Sequence, residues 1–155
     1  RRAGAGEVDW YLVTEGCDLN AELEKFLKLM AASSDEKALF LREPENVAFF
    51  RSVVPEIAEA GWLQLAFLTV DGEAAAAYLN FDYGNRVMVY NSGHDHSAHA
   101  HLSPGIILMA RLIEHAIKLG REELDFLRGD EPYKYDLGGK DTQVFQVAIK
   151  PAVGA

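Results

Sequence analysis

Cysteine is nearly missing from this 155-residue chain. Cys17 stands alone, so no disulfide can close within it and a cystine-stapled fold is excluded. No stretch approaches ~18 consecutive apolar residues, which excludes a membrane-spanning helix. Bases are scarce: 15 Lys and Arg stand against 24 Asp and Glu, for a formal net charge of -9. That balance opposes non-specific binding to nucleic acid or anionic lipid, because polyanions are repelled at long range. There is no internal repeat and no low-complexity linker. The opening RRAGAGEVDW has no apolar run of the kind a signal peptide needs, so none is expected. The remainder is ordinary for one globular domain, with 49% hydrophobic and 25% charged residues. A domain of this length buries enough surface to fold without metal or disulfide. We therefore expect a single domain over residues 1–155, in a reducing, cytoplasmic setting.

The pattern alternates strands and helices. Asp9–Thr14 reads as a strand, and Asn20–Ala32 as a helix with Leu23, Phe26, Leu27 and Met30 on one face and Asp18 or Asn20 as its cap. Ser33–Lys37 reads as a polar loop. Glu45–Ala60 reads as a second helix, which Pro55 is expected to split or kink. Trp62–Val70, Glu73–Phe81 and Arg86–Asn91 form an antiparallel meander, turned at Asp71-Gly72 and around Asp82–Asn85. Pro104–Leu119 is the clearest helix, with Ser103 as its cap and a narrow polar edge of Arg111, Glu114, His115 and Lys118. Short strands are expected at Leu124–Leu127 and Val144–Ile149. One β-α-β crossover among antiparallel neighbours predicts an α/β (α+β) fold, a mixed sheet with helices on both faces.

Three features could carry chemistry. At the crossover, Tyr90-Asn91-Ser92-Gly93 ends a strand and Leu102-Ser103-Pro104-Gly105 opens a helix whose free N–H groups and dipole attract phosphate. A merely well-capped helix would look the same. Beyond the next strand, Arg128, Asp130, Glu131, Tyr133 and Lys134 fall within seven residues, at a strand end where α/β sheets bind ligands. A solvated turn of paired charges is the alternative. Finally, His94, His96, His99 and His101 crowd the segment HDHSAHAH. Imidazoles at this density can take Zn or Ni, but nothing around them would fix ligand geometry, so no structural metal site is expected.

YNSG, a loop, LSPG, an apolar helix and then DFLRGDEPYK together resemble the Fem-like branch of the GNAT acyltransferase superfamily. The nearest likeness is to the bacterial group described as acetyltransferases involved in cellulose biosynthesis, which often form the second of two tandem GNAT-like domains. The likeness runs from about Leu19 to Ile149 and is sharpest in Asp125–Lys134. It implies a twisted GNAT sheet whose two central parallel strands, here Arg86–Asn91 and Leu124–Leu127, splay around the pantetheine arm of an acyl-CoA. It also implies a small-molecule or envelope-precursor acceptor, and a tandem domain or homodimer as partner. Asn91, Ser92, Gly93, Ser103, Gly105 and Ile106 would then hold the acyl-CoA. Asp130 or Glu131 would be the base and Tyr133 the acid, with Tyr90, Arg128 and Lys134 touching donor or acceptor. Where typical members carry a glycine-rich pyrophosphate loop, this chain has His99-Ala100-His101-Leu102-Ser103-Pro104-Gly105, an incomplete glycine pattern. A non-catalytic scaffold and an aminoacyl-tRNA-dependent transferase are the rival readings. The acidic chain favours a CoA thioester over tRNA.

Overall fold

Two tight turns organise the sheet. In each, both central residues take positive φ: 52° and 83° at Asp71-Gly72, and 61° and 63° at Gly84-Asn85. This is the geometry whose twist matches paired strands. The computed structural model describes residues 6–95 and 100–149. Its strands are β1 (Val8–Leu12), β2 (Leu63–Val70), β3 (Glu73–Tyr83), β4 (Arg86–His94) and β5 (Glu123–Asp125). They lie side by side in chain order. All neighbours are antiparallel except β4 and β5, which run parallel over Arg86–Met88 and Glu123–Asp125.

Alternation along β2 and β3 divides the core between two faces. Leu65, Phe67, Ala77 and Leu79 meet α1 (Leu19–Ser33) and α3 (Pro44–Glu59) through Leu23, Phe26, Met30, Phe50 and Val54. Ala66, Leu68, Ala76 and Tyr78 meet α4 (Pro104–Lys118) through Leu108, Met109 and Leu112. Phe26, Phe50 and Phe67 are fully buried, and each such side chain contributes about 1.5–3 kcal/mol. The expected mixed sheet with helices on both faces is present. Asp18 caps α1, its Oδ1 accepting from Ala21 N at 3.1 Å.

Several expectations need correction. The stretch read as a loop from Ser33 to Lys37 is mostly helical: α1 runs through Ser33, and α2 spans Asp35–Phe40. Ser34 Oγ accepts from Lys37 N, and Asp35 and Glu36 sit in the first turn, where acids complement the helix dipole. Pro55 does not split α3, which is continuous because Phe50, Val54 and Ile57 are held against the sheet. Ser103 stands at the cap position of α4, but in a left-handed conformation (φ 48°, ψ 56°) with no side-chain cap bond. The polar edge of α4 is also wider than expected, since Ile106 and Ile117 are exposed along it. Leu127 cannot continue β5, because its φ is 53°. Val144–Ile149 forms no strand; Val144, Phe145, Val147 and Ile149 are 81–93% exposed. Apolar alternation makes a strand only where a neighbour accepts its hydrogen bonds. Among the described residues β5 is consequently the sheet edge rather than one of a central pair.

Gly93 on β4 is a close-approach glycine. A Cβ there would lie 2.3 Å from Met30 N and 2.4 Å from Leu29 C, backbone atoms of α1 that cannot yield. Gly93→Ala is therefore expected to push α1 off the sheet and to cost about 1–3 kcal/mol of stability, read as a lowered urea midpoint at unchanged slope.

Candidate active site

The chemistry-bearing residues gather where β4 and β5 part. In the β3–β4 pairing, Leu79 faces Asn91 and Asn80 faces Val89, so Tyr90 is the extra residue of a bulge. The bulge sends the Tyr90 ring to Phe81 (centroids 5.2 Å apart) and Phe50 (6.4 Å), on the α1–α3 side. Past Met88 and Asp125 the two parallel strands share no further pairs. A cleft of about 1320 Å³ opens there, lined by Lys37, Tyr90, Asn91, Arg128, Glu131 and Tyr133 among others. A smaller cleft of about 290 Å³ lies at the start of α4, lined by His94, Ser103, Gly105 and Ile106. Tyr78, Ser92 and Tyr133 line both.

The loop after β5 is held from inside. Asp125 Oδ1 accepts from Leu127 N at 2.7 Å. The Lys134 side chain, on α5 (Pro132–Asp136), is buried. Its Nζ donates to Arg128 O (2.7 Å) and Gly129 O (3.3 Å) and pairs with Glu131 Oε2 at 2.7 Å. Gly129 has φ 104°, and a Cβ there would lie 2.4 Å from Glu131 Oε2. The loop thus folds the Glu131 carboxylate back over its own backbone. The hydrogen bond from Lys134 is the chief reason the Glu131 carboxyl sits below its ordinary pKa. Tyr133 is half-buried, and burial first, then the Glu131 charge, raises its phenol pKa. Burial also raises that of Tyr78 strongly. Both hydroxyls therefore keep their protons at neutral pH.

The structure brings most of the expected residues together. Tyr90, Asn91, Ser92, Arg128, Glu131, Tyr133 and Lys134 line the larger cleft, and Ser92, Ser103, Gly105, Ile106 and Tyr133 the smaller. Two are elsewhere: Gly93 lies beneath α1, and Asp130 is exposed on the wall of neither cleft. Lys134 spends its ammonium on the loop rather than on the cleft. Tyr78 and Lys37 were missed. Tyr78 interrupts an alanine run on β3 directly opposite Ser92, a visible signal; Lys37 fell in the segment read as a loop. At α4, Pro104 has no N–H, and the N–H groups of Ile106 and Ile107 return to Ser103 O. Gly105 N is the first-turn amide left to meet an anion, and a Cβ at Gly105 would meet nothing closer than 3.9 Å. The smaller cleft thus fits the phosphate end of a nucleotide thioester sparingly, with one amide and the helix dipole. His96 and His99 lie outside the described residues. Among those described, no group of three metal-ligating side chains occurs.

Residues 1–135 match the model of the acetyltransferase (GNAT) domain. The chain belongs to this family. As a GNAT acetyltransferase domain it is a transferase. Solved structures agree in fold at low identity. The ribosomal-protein-alanine N-acetyltransferase of Brucella melitensis biovar Abortus 2308 is 14% identical with a TM-score of 0.60, covering 93% of this chain and 99% of that one. An aminoglycoside acetyltransferase from an uncultured soil metagenomic sample is 14% identical with a TM-score of 0.64, covering 94% and 99%. An aminoglycoside acetyltransferase in complex with a bisubstrate analogue, CoA-S-monomethyl-acetylneamine, is 16% identical with a TM-score of 0.57, again covering 94% and 99%. No curated protein matches the chain.

Lys134 is expected to be the loop's anchor. Lys134→Met strips the donor from two carbonyls and a carboxylate, at about 1–3 kcal/mol, measurable by urea unfolding at pH 7. Part of this depends on pH. A carboxyl whose folded pKa is lowered stabilises above its unfolded value, about 4.3, and stops doing so as pH falls through the folded value. The gap between wild type and Lys134→Met should therefore narrow below about pH 4.

Proposed function

We propose that this GNAT domain transfers an acyl group from an acyl-CoA to an amine, or a similar nucleophile, on a small molecule. The observation that carries the reading is the pair of clefts meeting at Tyr78, Ser92 and Tyr133. The smaller cleft, with Gly105 N and the α4 dipole, suits the donor's phosphates. The larger cleft suits the acceptor. A donor reaching from one toward the other brings its thioester to the shared residues. The complex of a structural relative with a joined CoA–acceptor analogue supports the same pairing of substrates. The net charge of -9 supports a CoA donor over an aminoacyl-tRNA. Within the family, the segment Asp125–Lys134 supports the Fem-like group described for cellulose biosynthesis, with a glycan or envelope precursor as acceptor.

The thioester supplies the activated acyl group; the chain's residues orient it and move protons. Glu131, ionised at neutral pH, takes the proton an acceptor ammonium must lose. Its partner Lys134 lowers its basicity, so Glu131 is a weak base toward an ammonium and passes the proton on to solvent through a water rather than retaining it. Tyr78 offers a hydroxyl that has no hydrogen-bond partner among the described residues, beside Ser92 on the next strand. It can donate to the oxyanion that forms as the nitrogen adds. Tyr133, protonated because burial raises its pKa, gives a proton to the departing sulfur. The acylated nitrogen then loses its second proton, which returns to the tyrosinate through solvent, leaving a neutral amide and the free thiol.

Acyl-CoA consumption measured with a panel of amines and amino sugars tests the roles. Tyr133→Phe is expected to lower kcat by about a hundredfold or more while KM for the acyl-CoA changes little. Unchanged kcat in that variant would remove Tyr133 from the chemistry. CoA should also raise the melting temperature, since a ligand that binds only the native state stabilises it.

A further inference from the structure

Four cations and four carboxylates line the larger cleft, but they are not matched pair by pair. Every carboxylate there already has a donor. Glu123 Oε2 pairs with Arg86 Nη2 at 2.8 Å, and Asp125 accepts from Leu127 N. Glu131 holds Lys134, and Asp141 Oδ1 accepts from Tyr135 Oη at 2.9 Å. The cations are not so matched. Lys134 is used up inside the loop, but neither the Arg128 guanidinium nor the Lys140 ammonium has a side-chain partner among the described residues. Lys37 Nζ donates to Ser92 O at 2.5 Å and lies 3.5 Å from Ser92 Oγ. It touches no carboxylate; Glu36 and Glu131 act on it only at a distance. On an acidic chain, the cleft thus presents three cations that touch no carboxylate: Lys37 on α2, Arg128 on the β5 loop and Lys140 beyond α5.

We propose that the acceptor carries an oxyanion, a carboxylate or a phosphate, beside its nucleophilic nitrogen, and that Lys37 and Arg128 bind this group. The proposal rests on the acyl-transfer reading above and names the acceptor's chemical class. An ammonium has three N–H donors. Two of those of Lys37 face Ser92, so one remains for a ligand. Half-buried as it is, Lys37 has lost hydration that no carboxylate replaces, and desolvation is what pulls its pKa down. An incoming oxyanion restores the missing partner. Position matters equally. Ser92 lines both clefts, so an oxyanion held at Lys37 lies close to the junction where Tyr78 and Tyr133 meet the thioester. Arg128, exposed on the lining of the same cleft, adds a planar donor fork suited to either group.

The test uses the full chain saturated with CoA, so that the donor's phosphate subsite is blocked, and also the chain without CoA. Inorganic phosphate and acetate are titrated separately while backbone amides are followed by NMR. Saturable shifts at Ser92, Arg128 and Gly129 are expected. They should weaken roughly tenfold or more in Lys37→Met and return in Lys37→Arg. Should Lys37→Met not fold, Arg128→Gln on the exposed loop reads the same loss. The tighter of the two anions identifies the group. In the transfer assay, phenylalanine should outperform phenethylamine, or glucosamine 6-phosphate outperform glucosamine. Lys37→Met should raise KM for the anionic member alone. The proposal is overturned if neither anion gives saturable shifts up to roughly 0.1 M, or if Lys37→Met affects charged and neutral acceptors alike. Anion shifts without CoA binding would leave it standing and remove the acyl-CoA reading; CoA binding without anion shifts would do the reverse.

Discussion

β4 and β5 pair for three residues and then separate, and the larger cleft opens because they do. A parallel strand pair normally continues for as long as both backbones stay extended. Here the positive φ of Leu127 turns the chain out of β5, and the Tyr90 bulge bends β4 away at nearly the same level. Neither distortion is cheap: a large apolar residue at positive φ costs on the order of 1–2 kcal/mol. The surrounding contacts hold both in place. Asp125 accepts from the Leu127 amide, Lys134 ties the loop from within, and Phe50 and Phe81 receive the Tyr90 ring. Strain of this kind persists where neighbouring structure over-determines it, and such places are commonly functional.

The gap also explains why so few groups suffice. Ser92, near the end of β4, is reached by α2 through Lys37 and faces Tyr78 across the sheet. Two layers of the fold, α2 and the sheet, therefore converge on one residue without any long loop. Gly93, next in the chain, lets α1 rest on β4 at backbone distance. The same strand end thus serves packing on one residue and the cleft on its neighbour.

Much of the fold was legible because its signals are local. Asp71-Gly72, the alternation through β2 and β3, and the apolar stripe of α4 each dictate their own element. α2 escaped notice because its first turn is all charge and its cap, Ser34, sits only one residue beyond the end of α1. Val144–Ile149 misled for the opposite reason: its pattern is that of a strand, but pairing is a property of the neighbour, not of the segment. The site divided in the same way. Glu131 and Tyr133 were visible as residues, clustered beyond a strand end. Their protonation states were not, because these depend on burial and on Lys134, whose inward turn no spacing announces. Lys37 entered only through tertiary contact, from a helix misread as a loop, whereas Tyr78 was legible as a phenol closing an alanine run but was passed over.

Membership in the GNAT acetyltransferase family rests on residues 1–135 as a whole. The particular claim made for this chain is that donor and acceptor meet in the gap beside Tyr133. A crystal structure of the chain with bound CoA addresses it directly. The account predicts the phosphates at Gly105 N, the pantetheine arm along the β4 side of the gap, and the thiol sulfur within about 4 Å of Tyr133 Oη. A CoA whose sulfur lay away from the gap, with Tyr78, Ser92 and Tyr133 untouched, would contradict it.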